Sequence, residues 1–454
     1  MAVDTTVPLT GRGRNTPTAA RLLRPRSYEE AAEAVRDCGR RGAIARGRGR
    51  VPGDAARNAG GDVLDMSALD RVHAIDASGG TVLCDAGITL HRLAELLLPL
   101  GWFVPVPPGT ERITVGGALG ADLHGANHHR AGSFARHVLA FELLTADGAV
   151  HIVDRGTPLF DATTGGLGLT GVVLTATVQL QPVSTALLLT GSSRATGLDD
   201  LMARLCDADA RHTYATARVD LLARGAATGR GVVLHADHAP PEALPARLAR
   251  RPLAARPHLP VPPQLPPGLV PRLASDRPLG RRALGLLQEL RHRAAPRSRA
   301  GALRGLTAAL PVLDGGHALG RDAGAVAYRC AVGHGEEEVV RHVVRRVAER
   351  GCASGPGLLK RFGEGSPGWL SFPARGWGLS LELPAGTPGL SALLDELDEA
   401  VAAAGGRVCL ARDSRPRPEL LPVMYPLLDD FRELRAAVDP RSVFTSDLAR
   451  RLGL

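Results

Sequence analysis

The stretches ARGRGRVPGD at residues 45–54 and TVGGALGADLHG at residues 114–125 decide the fold. The first follows a short apolar strand, AIA at residues 43–45, and carries glycines at 47, 49 and 53. Such a loop turns backbone N–H groups inward and can wrap a pyrophosphate. No Gly-Lys-Ser/Thr follows, so it is not a Walker loop, and it lacks the Rossmann spacing. A glycine-rich surface turn is the other reading of this loop alone. In the second stretch Thr114 can cap a helix whose first turns are nearly all small residues. Small residues let a backbone approach a ligand, and a helix N-terminus favours an anion. Close packing of that helix on a sheet is the competing explanation. Two such segments, about 65 residues apart with short strands between them, point to one dinucleotide held across a domain. A third motif, GLGLTG at residues 166–171, fits G-x-G-x-x-G, but the strand-like VVLTATVQL follows it where a helix is required.

Outward from these stretches the pattern is mixed. Residues 27–42 read as a helix opened by a Ser27–Glu30 capping box and left through Gly39 and Gly42. Short strands are expected at 62–65, 71–76 and 80–86, a helix at 89–100, a hairpin at 138–153 and a strand at 172–181. After Pro182, helices are expected at 197–209, 335–350 and 389–404, with strands at 215–221, 231–236, 325–332 and 378–383. The fold class is α+β. Residues 240–304 are rich in proline and arginine, and 247–304 hold thirteen arginines against Asp276 and Glu289. This stretch reads as a solvated, partly mobile insertion, or as a lid meeting an anionic membrane surface or a lipid phosphate.

The 454 residues allow two or three domains, and 44% apolar with 22% charged content is ordinary for globular proteins. No apolar run is long enough to span a membrane, and the first ten residues lack a secretory signal pattern. The expected location is therefore cytoplasmic, with peripheral membrane contact as an option. The six cysteines are scattered without a CxxC pair, which argues against a disulfide framework or structural zinc. His124, His128, His129 and His137 lack the cysteine or carboxylate company of a zinc site. Lys360 is the only lysine among 55 basic residues, and Asn15, Asn58 and Asn127 are the only asparagines. A GC-rich coding sequence explains that skew, so the pI of 9.9 does not imply a nucleic-acid partner. Where arginine is the default, a retained lysine acquires meaning: a buried lysine can lose its proton and arginine cannot. Survival by chance is the alternative.

The segments RGAIARGRGRVPGDAARNAGG (41–61), PVPPGTERITVGGALGADLHGANHHRAGSF (105–134), LLTADG (143–148), GGLGLTGVV (165–173), LSFPARGW (370–377), MYP (424–426) and DPRSVFTSDLARRL (439–452) carry a resemblance. Together they resemble the vanillyl-alcohol-oxidase-type FAD family. Within it they resemble the decaprenylphosphoryl-β-D-ribose 2-oxidases, flavin subunits of the actinobacterial epimerase that makes decaprenylphosphoryl arabinose. The similarity is dense before residue 182 and after 356, and thin between about 190 and 325.

The resemblance implies an FAD domain made of residues 1–185 and 406–454, with a substrate domain at 186–405 inserted between them. It implies FAD contacts from Ala45, Arg46, Gly47, Arg48, Gly49, Arg50, Val51, Pro52, Gly53 and Asp54. Further contacts are expected from Gly109, Thr110, Thr114, Val115, Gly116, Gly117, Ala121, Asp122, Leu123 and His124, with Val173 on the adenine side and Cys409 returning to the flavin. The loop at 46–54 has no His or Cys to tether the cofactor, so FAD is expected to be non-covalent. Lys360, His124 and Arg412 are the implied catalytic residues, and Tyr328, Ser380, Lys360 and Arg412 the substrate contacts. Arg412 stands where the family has a lysine, Ser380 where it has a cysteine, Cys409 where it has a tyrosine, and Leu310 and Leu319 where it has aromatics.

The expected reaction is oxidation of the 2′-hydroxyl of a polyprenyl-phosphate-linked ribose, the first half of an epimerisation completed by an NAD(P)H-dependent short-chain reductase. A sugar or aldonolactone-type oxidase, a secondary-metabolite alcohol oxidase and a flavin-binding scaffold without turnover are the alternatives.

Overall fold

The computed structural model describes residues 5–11, 17–107, 109, 112–254, 278–314, 324–353, 355–412 and 415–454. Ser27 caps the first helix, and Glu30 accepts the N–H of the residue just before the cap instead of that of Ser27 itself. The Ser27 hydroxyl accepts the Glu30 N–H at 3.2 Å, and the Glu30 carboxylate accepts the Arg26 N–H at 2.8 Å. The helix Tyr28–Arg36 buries Ala31, Ala32 and Val35 against the first sheet. That sheet contains β1 (Thr5–Leu9), β2 (Thr18–Leu23), β3 (Ala43–Arg46) and β4 (Asp62–Asp65) in the order β1-β2-β4-β3.

β3 lies at the sheet edge, where unpaired backbone groups need a partner. The C-terminal segment supplies it. The Ala43 N–H donates to the Val443 carbonyl at 2.7 Å, and the Thr445 N–H donates to the Ala43 carbonyl at 3.0 Å. Asp439 holds that segment by accepting the N–H groups of Val443 at 2.8 Å and Phe444 at 2.7 Å. Arg435 donates to the Phe444 carbonyl at 2.7 Å. The strand that delivers the glycine loop is thus clamped by residues about 400 positions away.

Next come β5 (Val72–Asp76), β6 (Thr81–Asp85), β7 (Trp102–Phe103), β8 (Val138–Leu144), β9 (Val150–Asp154), β10 (Val172–Gln179) and β11 (Gln181–Pro182). β7 pairs with β11, and the other five form a sheet in the order β5-β6-β10-β8-β9. The helix Val115–Gly120 packs on β10. The Gly165 and Leu167 N–H groups close its end, donating to the Leu119 carbonyl at 3.0 Å and the Gly120 carbonyl at 2.9 Å. The GLGLTG motif therefore packs against a helix end. A helix, Pro158–Thr163, precedes it and a strand follows, the reverse of the Rossmann order.

The largest sheet holds β12 (Leu187–Ala195), β13 (Tyr214–Val219), β14 (Gly231–His238), β15 (Ser298–Gly305), β16 (Ala325–Gly333), β17 (Gly357–Phe362), β18 (Gly376–Pro384) and β19 (Arg407–Val408). Their order is β15-β12-β14-β13-β17-β18-β16-β19. Helices Leu198–Arg211, Glu337–Arg350 and Leu390–Ala403 cover one face. The helix Leu306–Leu313 lies on the other, where Thr216 and Arg218 of β13 donate to the carbonyls of Leu313 at 2.8 Å and Val312 at 2.9 Å. No helix among the described residues is long and apolar enough to cross a membrane.

The Pro/Arg-rich stretch 240–304, read as a partly mobile insertion, also carries regular elements. The helix Pro278–Ala294 and strand β15 lie inside it. Pro278 sits at the helix start, where a missing N–H costs nothing, and Pro296 falls in the break before the strand. Residues 255–277, where the prolines are densest, lie outside the described residues.

Removing the Asp439 carboxylate strands two buried N–H groups. Asp439→Ala is expected to cost about 2–4 kcal/mol of unfolding free energy, measured by urea denaturation. Unchanged stability would show that the C-terminal segment does not depend on this clamp.

Candidate active site

The two glycine segments meet. A Cβ on Gly47 would fall inside contact distance of the Thr114 hydroxyl, so the first loop reaches the second only because residue 47 is glycine. Among the described residues, the backbone N–H groups of Gly47, Arg48, Gly49, Val51 and Gly53 donate to no protein carbonyl. A row of unspent donors in a loop fits a pyrophosphate. The loop is braced from outside. Arg46 donates to the carbonyls of Ala56 at 3.0 Å and Thr10 at 2.8 Å. Asp54 accepts from Arg451 of the C-terminal helix at 3.1 and 3.2 Å.

The second segment is used differently from the sequence reading. The N–H groups of Val115 and Gly116 are spent on the carbonyls of Ile88 at 2.9 Å and Ala86 at 2.8 Å. The Gly117 N–H goes to the Thr114 hydroxyl at 3.1 Å. This helix start therefore has no free donors for an anion at those positions. Its asset is smallness, since a Cβ on Gly117 would meet only the Thr114 hydroxyl. Asp122 is a correction. Its N–H donates to the Leu119 carbonyl at 3.0 Å, and its buried carboxylate accepts from the Ser371 hydroxyl and from the Ala135 N–H at 3.3 Å. It braces the loop around Ser371 instead of presenting a ligand group. Leu123 spends its N–H on the Ala118 carbonyl at 2.8 Å. Val173 is half-buried on β10, opposite Leu143. Thr110 and Leu319 lie outside the described residues. Leu310 is buried in the core beside Leu306 and Leu313.

Lys360, His124, Arg412 and Cys409 come together. Side chains alternate between the faces of a sheet, and the register sorts them. Leu358 stands opposite Ser380, which stands opposite Arg329, and Lys360 stands opposite Gly378. Lys360, Ser380 and Arg329 therefore share the face turned away from the three covering helices. Tyr328, expected at the substrate, is corrected by the same alternation. It is buried on the helix-covered face, where its hydroxyl bonds Asp398 of the helix Leu390–Ala403.

The Lys360 ammonium is 4% exposed and pairs with the carboxylate of Asp314, just past the end of the helix Leu306–Leu313. Gly109 runs directly against that carboxylate. Burial pulls the Lys360 pKa down, as do the charges of Arg329 and Arg412, while Asp314 opposes the fall. His124 packs edge-on to Phe362, with ring centroids 4.9 Å apart, and lies 5.8 Å from the Phe372 ring. Burial, then Lys360 and Arg329, hold its pKa well below the usual imidazole range, so the ring is neutral. Its Nδ1 is buried without a hydrogen-bond partner among the described residues, which is costly unless a ligand fills the place. Cys409 is buried with Phe362, Phe372 and Ala331, near Val51 and Ala121 of the two glycine segments, and burial pushes its thiol pKa up. Unspent loop donors, a glycine cradle and an orphaned imidazole nitrogen fit an FAD: residues 47–53 would hold its phosphates, and His124 would face its ring.

Asp314, Arg329 and Phe362 were missed from the sequence. Period-two alternation in AVAYRCAV (325–332) places Tyr328 and Arg329 on opposite faces, and that signal alone favours Arg329 once Lys360 is assigned.

A second buried cluster supports this one from behind. His128 Nδ1 accepts the Gly363 N–H at 3.2 Å, and its Nε2 faces the Ser133 hydroxyl at 3.2 Å, which fixes its tautomer. His129 Nε2 donates to the His212 carbonyl at 3.0 Å, leaving Nδ1 3.5 Å from Asp209. Burial pushes the Asp209 pKa up to about 7, against the pull of Arg361. The native state therefore keeps a proton that the unfolded chain releases near pH 4. The associated stability is present at low pH and is lost as pH rises through about 7. Asp209→Asn removes that loss. Its stability relative to wild type is expected to improve between pH 5 and pH 8 in thermal unfolding, and a pH-independent difference would contradict the assignment.

Comparison with known proteins agrees with this geometry. The FAD binding domain family matches residues 19–154. A protein of the mprA 5′ region of Streptomyces coelicolor is 87% identical over 367 residues, covering 81% of this chain and 100% of that protein. The D-lactate dehydrogenase of Archaeoglobus fulgidus is 29% identical over 139 residues, 29% of this chain and 31% of that enzyme. The decaprenylphosphoryl-β-D-ribose oxidase of Mycolicibacterium smegmatis is 39% identical over 463 residues, covering 99% of this chain and 98% of that enzyme. With both chains covered almost end to end, and with the glycine loops and the buried lysine assembled in one place, the chain belongs to the FAD-dependent oxidoreductase family of decaprenylphosphoryl-β-D-ribose oxidase.

Proposed function

We propose that this oxidoreductase takes the 2′-hydroxyl of a polyprenyl-phosphate-linked ribose to the ketone, as the first half of an epimerisation that a separate NAD(P)H-dependent reductase completes. The observation that carries this reading is the buried Lys360 held beside neutral His124, in a chain similar over 99% of its length to a phosphoryl-ribose oxidase. When bound, FAD supplies the acceptor for the hydride that leaves the carbinol carbon. No His or Cys stands in the loop at 46–54, which favours a cofactor bound without a covalent link.

The residues of the chain handle the other half of the balance. The carbinol proton must leave as the hydride departs. Neutral His124, a weak base with an unspent Nδ1, accepts it as the departing hydride makes the hydroxyl strongly acidic. Lys360, oriented by Asp314, offers a compact donor that fixes the substrate oxygen and stabilises the negative charge growing on it. Phe362 and Phe372 wall the imidazole off from water. Residues 283–305, with their excess of arginine, offer a surface for an anionic membrane carrying a lipid-linked substrate.

Lys360→Arg tests the reading. The guanidinium replaces the compact ammonium that Asp314 orients with a larger planar fork. The variant is expected to keep its FAD and its fold while flavin reduction by farnesylphosphoryl-β-D-ribose slows at least about tenfold in anaerobic stopped flow, or about 1.4 kcal/mol of barrier. A wild-type rate would make the lone lysine an accident of composition. No bleaching of the wild-type flavin by this probe would remove the ribose reading itself.

A further inference from the structure

The charges at the site do not balance. Lys360 and Asp314 neutralise each other, and His124 and Cys409 are uncharged. Arg329 remains. It is half-buried on β16, on the same face as Lys360, and its charge acts on His124, Lys360 and Cys409 alike. Among the described residues it forms no ion pair. Its backbone is pinned, because the Cys409 N–H donates to the Arg329 carbonyl at 3.0 Å and β18 pairs with it through Ser380.

A half-buried guanidinium with no carboxylate partner keeps its forked donors available to an arriving anion. The donors at 47–53 would hold the phosphates of the cofactor, and the arginine stands apart from them, beside Lys360 and His124. We infer that Arg329 forms an anion subsite that binds a negatively charged group on the carbon next to the carbinol that is oxidised. The inference rests on the alcohol-oxidation reading above and narrows the substrate class: neutral sugars and alditols leave the guanidinium unpaired. Two chemistries supply the anion, a phosphodiester at C1 of a sugar oxidised at C2 and the carboxylate of a 2-hydroxy acid. The forked geometry of arginine suits both oxyanions.

The test uses the full-length, flavin-loaded chain and its variants Arg329→Gln and Arg329→Lys, with the flavin spectrum and melting temperature confirming the fold. Anaerobic flavin bleaching gives a dissociation constant for farnesylphosphoryl-β-D-ribose, D-lactate and neutral methyl β-D-ribofuranoside. The expected result is at least about a tenfold weaker constant for the anionic probe in R329Q, the factor for losing a charge-assisted hydrogen bond. R329K should recover much of the loss, and the neutral riboside should bind wild type and R329Q equally weakly. In the wild type, inorganic phosphate should compete with the anionic probe, and absence of that competition overturns the subsite whatever the variants do. Bleaching by the phosphoryl ribose with the same constant in R329Q also overturns the subsite while leaving the ribose reading intact. Arg329-dependent bleaching by D-lactate alone keeps the subsite and removes the ribose reading.

Discussion

A buried ammonium must be compensated, and here the Asp314 carboxylate does it. Taking a lysine out of water costs several kcal/mol unless an opposite charge meets it. That requirement ties together three parts of the chain that share no sequence neighbourhood. Lys360 comes from the centre of the largest sheet, Asp314 from the end of the helix on its open face, and Gly109 from the chain leading to the second glycine segment. The helix ending in Asp314 is fixed by Thr216 and Arg218, so the carboxylate is placed by the sheet it serves. Without the pair, the desolvation that already lowers the Lys360 pKa would act unopposed by any carboxylate shown in contact with it.

The cofactor side depends on close approach. Gly47 meets Thr114, the same threonine caps Gly117, and any side chain at residue 47 would disturb both. The N–H groups left over in the first loop and the spent ones at the second divide the labour: one segment offers donors, the other offers room. The C-terminal segment holds the arrangement from behind, completing the edge of β3 and binding Asp54 through Arg451. A chain that returns to its own N-terminal sheet in this way stabilises the loop without contributing a ligand group.

Much of this was legible in the sequence, and the reasons are physical. Glycine spacing, the Ser27–Glu30 cap and the Asp147-Gly148 turn are local signals, and the structure keeps each of them. Tyr328 and Asp122 were misplaced because one-dimensional similarity does not say which face of a strand or which end of a hydrogen bond a residue serves. Asp122 is a helix-end residue with positive φ whose carboxylate is consumed by Ser371, 249 positions away. Asp314 left no local trace, since its partner is 46 residues distant and reached only through the sheet. The helix within 278–294 was hidden by the prolines around it, although only the tolerated first position of that helix carries one.

The most direct measurement concerns the ionisation of Lys360 itself. Because it is the only lysine, [ε-¹⁵N]lysine labelling of the flavin-loaded protein gives one side-chain resonance whose shift can be followed with pH. The account predicts a titration below the exposed-lysine value of about 10.4, and a further drop in Asp314→Asn, where burial acts without the carboxylate. An ordinary lysine titration, or one that Asp314→Asn leaves unchanged, would show that the pair is not what holds this site together.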